Sequence, residues 1–224
     1  MATVDALKAL YVFYARFVRS FSFACGPGCS TCCSVNVVIT SLEADYLGQH
    51  PALSDRQVQR QINAALLRPR FIPTMTTNRL ARFCLRRQEP PEEQGTHAPG
   101  QCPLLGRDGC CLVYENRPFS CRAMSSEQKC QDDGEAVMPP FLYTINLVFY
   151  QLIEHLDRKG TSGNMLDMLA GDNRNRIDNT PFPGFLITDT EKAPLQRLLT
   201  TMKNYPVNKS HLADFFPSQT FQLE

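Results

Sequence analysis

All ten cysteines of this 224-residue chain fall between Cys25 and Cys130, and the stretch from there to Glu224 contains none. Any fold must therefore place ten thiols within the first part of one polypeptide. A chain of this length with 43% hydrophobic residues can bury a core without covalent staples. Ten cysteines in 224 residues is about 4.5%, roughly half the density that marks small disulfide scaffolds. The opening Met1-Ala2-Thr3-Val4-Asp5 leads into an apolar run broken by Arg16 and Arg19, which does not read as a secretory signal. The expectation is a reducing compartment, the cytoplasm, where clustered cysteines mean metal more often than disulfide.

Charge narrows the function classes. With 23 Lys and Arg against 22 Asp and Glu the net charge is +1, so the chain is not built mainly to coat nucleic acid or an anionic membrane. The charge-free run from Ala136 to Ile153 carries Pro139 and Pro140, and its apolar helical part is too short to span a bilayer. One local bias stands out. Between Arg56 and Arg87 there are eight arginines and no acid, with Arg79, Arg82 and Arg86 on one helical face. This leaves binding to nucleic acid or another anionic partner as an alternative function, weaker than the metal reading below.

The patterning predicts a mainly α protein with minor β, helices packing around an irregular, cysteine-lined core. Leu7, Leu10, Tyr14, Phe17 and Phe21 share one face of a first helix over 5–21. Val35 to Ile39 reads as a short strand. Thr40-Ser41-Leu42-Glu43 is a capping box that starts a helix near Ser41, and Ser54-Asp55-Arg56-Gln57 a second, opening a helix to Leu67. A helix over 77–87 carries Phe83 and Cys84, and Cys84 reads as an ordinary buried cysteine. The segment 89–101 is a loop by composition, and Leu112 to Tyr114 a short strand. Pro140 suits a first helical turn, with an apolar stripe to Arg158. A short helix over 164–170, a loop over 172–190 and a last helix over 194–205 complete the chain. We read 1–224 as a single domain, with a metal-binding region at 22–130 and a helical extension at 131–224.

The first cysteine group is Cys25-Gly-Pro-Gly-Cys29-Ser-Thr-Cys32-Cys33. Gly26-Pro27-Gly28 forbids a regular helix across the first gap, so these thiols sit on a loop that folds back on itself. Four ionised thiols within nine residues repel one another, and a cation is the economical way to hold them together. The second group is Cys102-Pro-Leu-Leu, then Cys110-Cys111-Leu-Val-Tyr-Glu-Asn-Arg117-Pro-Phe-Ser-Cys121-Arg122. The two blocks in this order, each with its internal spacing intact, resemble the YkgJ-like cysteine-cluster family, described as a zinc- or iron-chelating domain. The similarity covers about 23–130.

The resemblance implies Cys25, Cys29, Cys32, Cys33, Cys102, Cys111 and Cys121 as metal ligands, with Cys130 a further candidate. Cys110 departs from the pattern as an extra thiol, and Cys84 has no counterpart. All-sulfur ligation selects Zn²⁺, Cu(I) or an iron–sulfur cluster. Zn²⁺ or a 4Fe–4S cluster takes four thiolates, so eight candidates serve two sites or one with spares. The spacing favours an iron–sulfur cluster, with zinc close behind. Arg117 and Arg122 flank Cys121 and are candidates for neutralising cluster charge and hydrogen-bonding sulfur. Two enzyme alternatives remain. Cys25-x3-Cys29-x2-Cys32 satisfies the bare radical S-adenosylmethionine spacing, though Thr31 stands where an aromatic is usual and the alternation needed for a (β/α) barrel is missing. The cluster is also similar to that of flagellin lysine methylases. None of the four histidines is expected to be a ligand, and no catalytic triad or phosphate loop is visible.

Overall fold

Helix α1 (Ala2–Phe17) turns one face inward, burying Leu7, Leu10, Phe13 and Tyr14, because its apolar residues recur every three or four positions. The computed structural model describes residues 2–26, 28–130 and 135–223. It is mainly α with a little β. Against α1 packs α6 (Pro140–Leu156), whose first-turn proline lacks only an N–H that would have had no helical partner. The Tyr14 ring meets Phe119 and Phe149 edge-on at 4.9 and 5.1 Å, and its hydroxyl donates to Asn146 Oδ1 at 2.7 Å. Helix α8 (Asp189–Lys203) closes this first core with Leu195, Leu199 and Met202.

A second core lies under the cysteine region. Its walls are α2 (Ser41–Gly48), α3 (Arg56–Leu66) and α7 (Met165–Leu169), with Leu47, Ile62, Leu104, Val113 and Leu166 buried between them. The capping box predicted at the start of α2 is present: Glu43 N donates to Thr40 Oγ1, and Thr40 N donates to Glu43 Oε2. In α3 the cap is Asp55, which accepts from Gln57 and Val58 N–H, rather than Ser54.

Joining the two cores is an antiparallel sheet, β1 (Val38–Thr40), β2 (Thr161–Asn164) and β3 (Arg176–Asp178), in that spatial order. Ile39 stands opposite Gly163, and Ser162 opposite Ile177. A two-residue pair, β4 (Pro206–Val207) and β5 (Ser210–His211), forms a hairpin near the end. All these pairings are antiparallel, unlike the parallel strands of the (β/α) barrel that the radical enzyme alternative requires. Among the described residues no helix is long and apolar enough to cross a membrane.

Several elements differ from expectation. The first strand spans 38–40, because Val35 N–H bonds Gly100 O and its neighbour Ser34 bridges Gln101. Leu112 to Tyr114 is no strand. Leu112 N–H bonds Leu104 O, only eight residues back, and a 3-10 turn follows at Tyr114–Asn116. The loop over 172–190 contains β3, held by its ladder to β2. The last helix starts at Asp189, not Pro194, because Thr188 and Glu191 form a capping box. Helix α4 (Thr77–Leu85) leaves Cys84 exposed, against the expectation of burial. Its inward residues are Asn78 and Ala81, and its last turn runs past the body, exposing Leu85 as well.

Candidate metal centre

The two cysteine blocks meet through the backbone. Cys102 N–H donates to Cys33 O at 3.0 Å, immediately beside the Ser34–Gln101 bridge. On the opposite flank Ala24 N–H donates to Ser126 O at 2.8 Å, and Ser126 N–H donates to Cys25 Sγ at 3.3 Å. The third seam is a glycine contact. Gly109, at φ +76°, lies so close to Gly28, at φ +82°, that a Cβ on Gly109 would stand 3.3 Å from Gly28 O. Both conformations belong to the left-handed region that glycine enters freely, so these residues let the 25–29 and 106–111 loops touch. Pro27 lies outside the described residues.

Helix α5 (Phe119–Ala123) delivers Cys121. Its position follows from two anchors: Ser120 Oγ donates to Val38 O at 2.6 Å, and Phe119 N–H donates to Glu43 Oε1 at 2.7 Å. Buried Glu43 therefore serves both the start of α2 and the start of α5, and Tyr11 donates to the same Oε1 at 2.7 Å.

Electrostatic neighbours define two groupings of thiols. Cys25 has Cys29, Cys32 and Cys130 about it; its thiol is pushed up chiefly by desolvation, then by these neighbours. Cys33 has Cys32, Cys102 and Cys121 about it, while Cys121 also feels Cys111. Cys32 belongs to both. Interaction between the adjacent Cys32 and Cys33 thiols, with Arg117 assisting, brings Cys32 down to about 6 and pushes Cys33 up. Burial pushes Cys102 up to about 11 and Cys121 up to about 12, and nearby thiols add to both. Without a cation, then, the buried sulfurs are held neutral. Among the described residues no group of three or more Cys, His, Asp or Glu side chains is already drawn into a cage for an ion.

The flanking arginines part company. Arg117 lies 4.1 Å from the Tyr114 ring centroid, acts on both Cys32 and Cys121, and keeps its Nε buried with no hydrogen-bond partner. Arg122 instead donates Nε to Arg117 O at 2.8 Å and Nη2 to Glu115 O at 2.7 Å, and it covers Tyr11 at 4.2 Å. It clamps the turn that presents Arg117. Cys110 is exposed, and Asp108 Oδ1 accepts its backbone N–H at 3.0 Å. His97 stacks on Phe71 at 4.8 Å.

The arginine-rich stretch is not a uniform face. Arg70 is committed to fully buried Asp167, donating Nε to Oδ2 at 3.0 Å and Nη2 to Oδ1. Glu93, within the acid-bearing loop that follows, accepts from Thr74 rather than from an arginine.

Sequence reasoning missed three asparagines that position the site, Asn78 and Asn164 buried and Asn36 half-buried. Asn36 accepts from Phe71 and Ala98 N–H and donates to Ala98 O. Asn164 donates to Val35 O and Phe71 O while capping α7, and Asn78 ties α4 to Gln151 O and Thr180 O. No motif marks such residues; their role exists only once distant carbonyls converge. No family model, no curated protein and no solved structure matches this chain.

Proposed function

We propose that this protein chelates a soft metal, as an iron–sulfur cluster of the 4Fe–4S type or as Zn²⁺, through Cys25, Cys29, Cys32, Cys33, Cys102, Cys111, Cys121 and Cys130. The observation that carries the reading is the backbone seam from Cys33 to Cys102, which joins thiols about seventy positions apart. The donor set is sulfur throughout, the chemistry that selects these metals over Mg²⁺ or Ca²⁺. Arg117 supports it independently: an unpartnered buried N–H next to Cys32 and Cys121 suits anionic sulfur. The similarity of both cysteine blocks to the YkgJ-like family favours the same ligand set. The thiols must draw closer and release their protons on binding, so uptake is coupled to pH and to local ordering. When bound, the metal would supply a cross-link between the two loops or a redox centre.

Anaerobic purification followed by iron, sulfide and zinc analysis tests this. Expected is stoichiometric metal that falls to background in Cys33→Ser and Cys102→Ser. A structural ion predicts unfolding by chelator, whereas a redox cluster predicts a colour that bleaches reversibly with the helices retained. A colourless, metal-free and fully folded protein from metal-replete, anaerobic preparations overturns the proposal.

A further inference from the structure

Beside Cys32 lies a cavity of about 500 Å³ that the metal reading does not use. Its size is within the range of small-molecule sites. One flank follows the chain from Ser34 to Thr40 and includes β1. Its lining includes Cys32 on the cysteine loop and Glu43 and Glu154 on α2 and α6. The rest of the wall combines Val38, Met75, Ile153 and the stacked Phe71–His97 pair with hydroxyl and amide side chains such as Ser120, Ser162 and Asn36. Among its described lining residues there is no lysine or arginine, so nothing there answers a phosphate or carboxylate ligand.

The two acids differ in what they have left to give. An ionised carboxylate offers about four acceptor positions. Glu43 uses all of them, accepting from Tyr11, Phe119, Thr40 N–H and Thr40 Oγ1. Glu154 accepts Asn78 and Thr180 N–H, each at 2.7 Å, with the Thr76 hydroxyl beside it. One position stays open. Burial raises the Glu154 pKa, while these hydrogen bonds and the nearby Arg82 charge, not paired to it among the described residues, favour the ionised form.

We infer that this cavity binds a linear alkylammonium ligand, its aliphatic body along Val38 and Ile153 and its cationic end at Glu154. Aromatic faces at Phe71 and Tyr150 favour the same charge. The inference does not depend on a bound metal.

Titration of the full chain, metal-loaded and metal-free, with n-hexylammonium, hexan-1-ol and hexanoate tests it by calorimetry. Hexylammonium is expected to bind at least about tenfold more tightly than hexanol, with no saturable binding of hexanoate, in both forms of the protein. Glu154→Gln should remove that tenfold advantage and leave hexanol affinity unchanged. Met124→Trp, at a half-exposed residue of the cavity wall, should weaken amine and alcohol together. Hexanoate binding as tightly as the amine overturns the inference, as does undiminished amine affinity in folded Glu154→Gln. Should that variant fail to fold, unchanged amine binding in Met124→Trp overturns it. Metal-free protein that binds the amine keeps this inference standing even where metal analysis sinks the chelation proposal.

Discussion

Replacing Asn164 probes the junction between the cysteine loop and the sheet. Its fully buried side chain donates to Val35 O at 2.8 Å and Phe71 O at 3.0 Å, and its Oδ1 accepts Leu166 N–H at 2.9 Å to cap α7. Asn164→Ala loses a cap worth about 1 kcal/mol. It also leaves the buried Val35 O and the part-buried Phe71 O without these donors, the first at about 1 kcal/mol or more and the second at less, for a total of about 2–3 kcal/mol. Asn164→Asp keeps an acceptor for Leu166 but sets a carboxylate against those same two oxygens. At pH 7 it should cost at least as much as the alanine. The sign of its pH dependence is opposite to that of ordinary salt-bridged acids. A carboxyl whose folded pKa is raised gains a proton on folding, so stability should recover as pH falls from that raised value towards about 3.9. Urea unfolding at pH 7 and pH 5 measures both effects. An aspartate variant as stable as the parent at pH 7, or an alanine variant losing well under about 1 kcal/mol, would refute the accounting.

Thiol reactivity gives a second prediction. In metal-free protein, Cys32 should be alkylated by iodoacetamide at a pH below the ordinary thiol range, while burial keeps Cys102 and Cys121 protected well above it; mass mapping of modified sites against pH reads this. Arg117→Met should shift the Cys32 midpoint upward, because it removes a positive neighbour. Asp167→Asn strands the Arg70 guanidinium at its buried partner and should cost about 3 kcal/mol in urea unfolding; a loss below about 1 kcal/mol would show that the pair is solvated. His155 accepts Phe182 N–H on Nδ1, and burial depresses its pKa below 6.5. The folded state therefore binds its proton later than the unfolded chain. This contribution is complete above about pH 6.5 and is lost as the pH falls to the lower folded value, so His155→Gln should flatten the stability profile across that window.

Local signals in the sequence were legible wherever neighbours in the chain decide the outcome. Thr40 and Glu43 announced α2, and Pro140 the first turn of α6, because a cap or a missing N–H acts within four residues. Thr188 and Glu191 carried the same signal for α8, but Pro194 looked like a beginning. In the structure that proline leaves only Thr190 O without a helical donor, on an exposed turn where water can serve. The strand expected at Leu112 failed because β-branched and aromatic residues describe a half-buried surface, not a ladder partner. Leu104, close by, supplied the only partner its N–H needed. The candidate site was half legible: its sulfur chemistry could be read from residue types, but not the Cys33–Cys102 seam, the Gly28–Gly109 contact or the Asn164 bond to Val35 O. Whether two loops can touch is set by backbone space and by carbonyls far along the chain, which composition does not encode.

The sheet has a consequence for biosynthesis. β1 lies just after the first cysteines, yet its neighbour β2 begins at Thr161 and the outer strand ends at Asp178. The thiols from Cys25 to Cys33 leave the ribosome long before β2 has been made. The nascent chain therefore carries the thiols of the first cysteine group unbraced until its second half has been made.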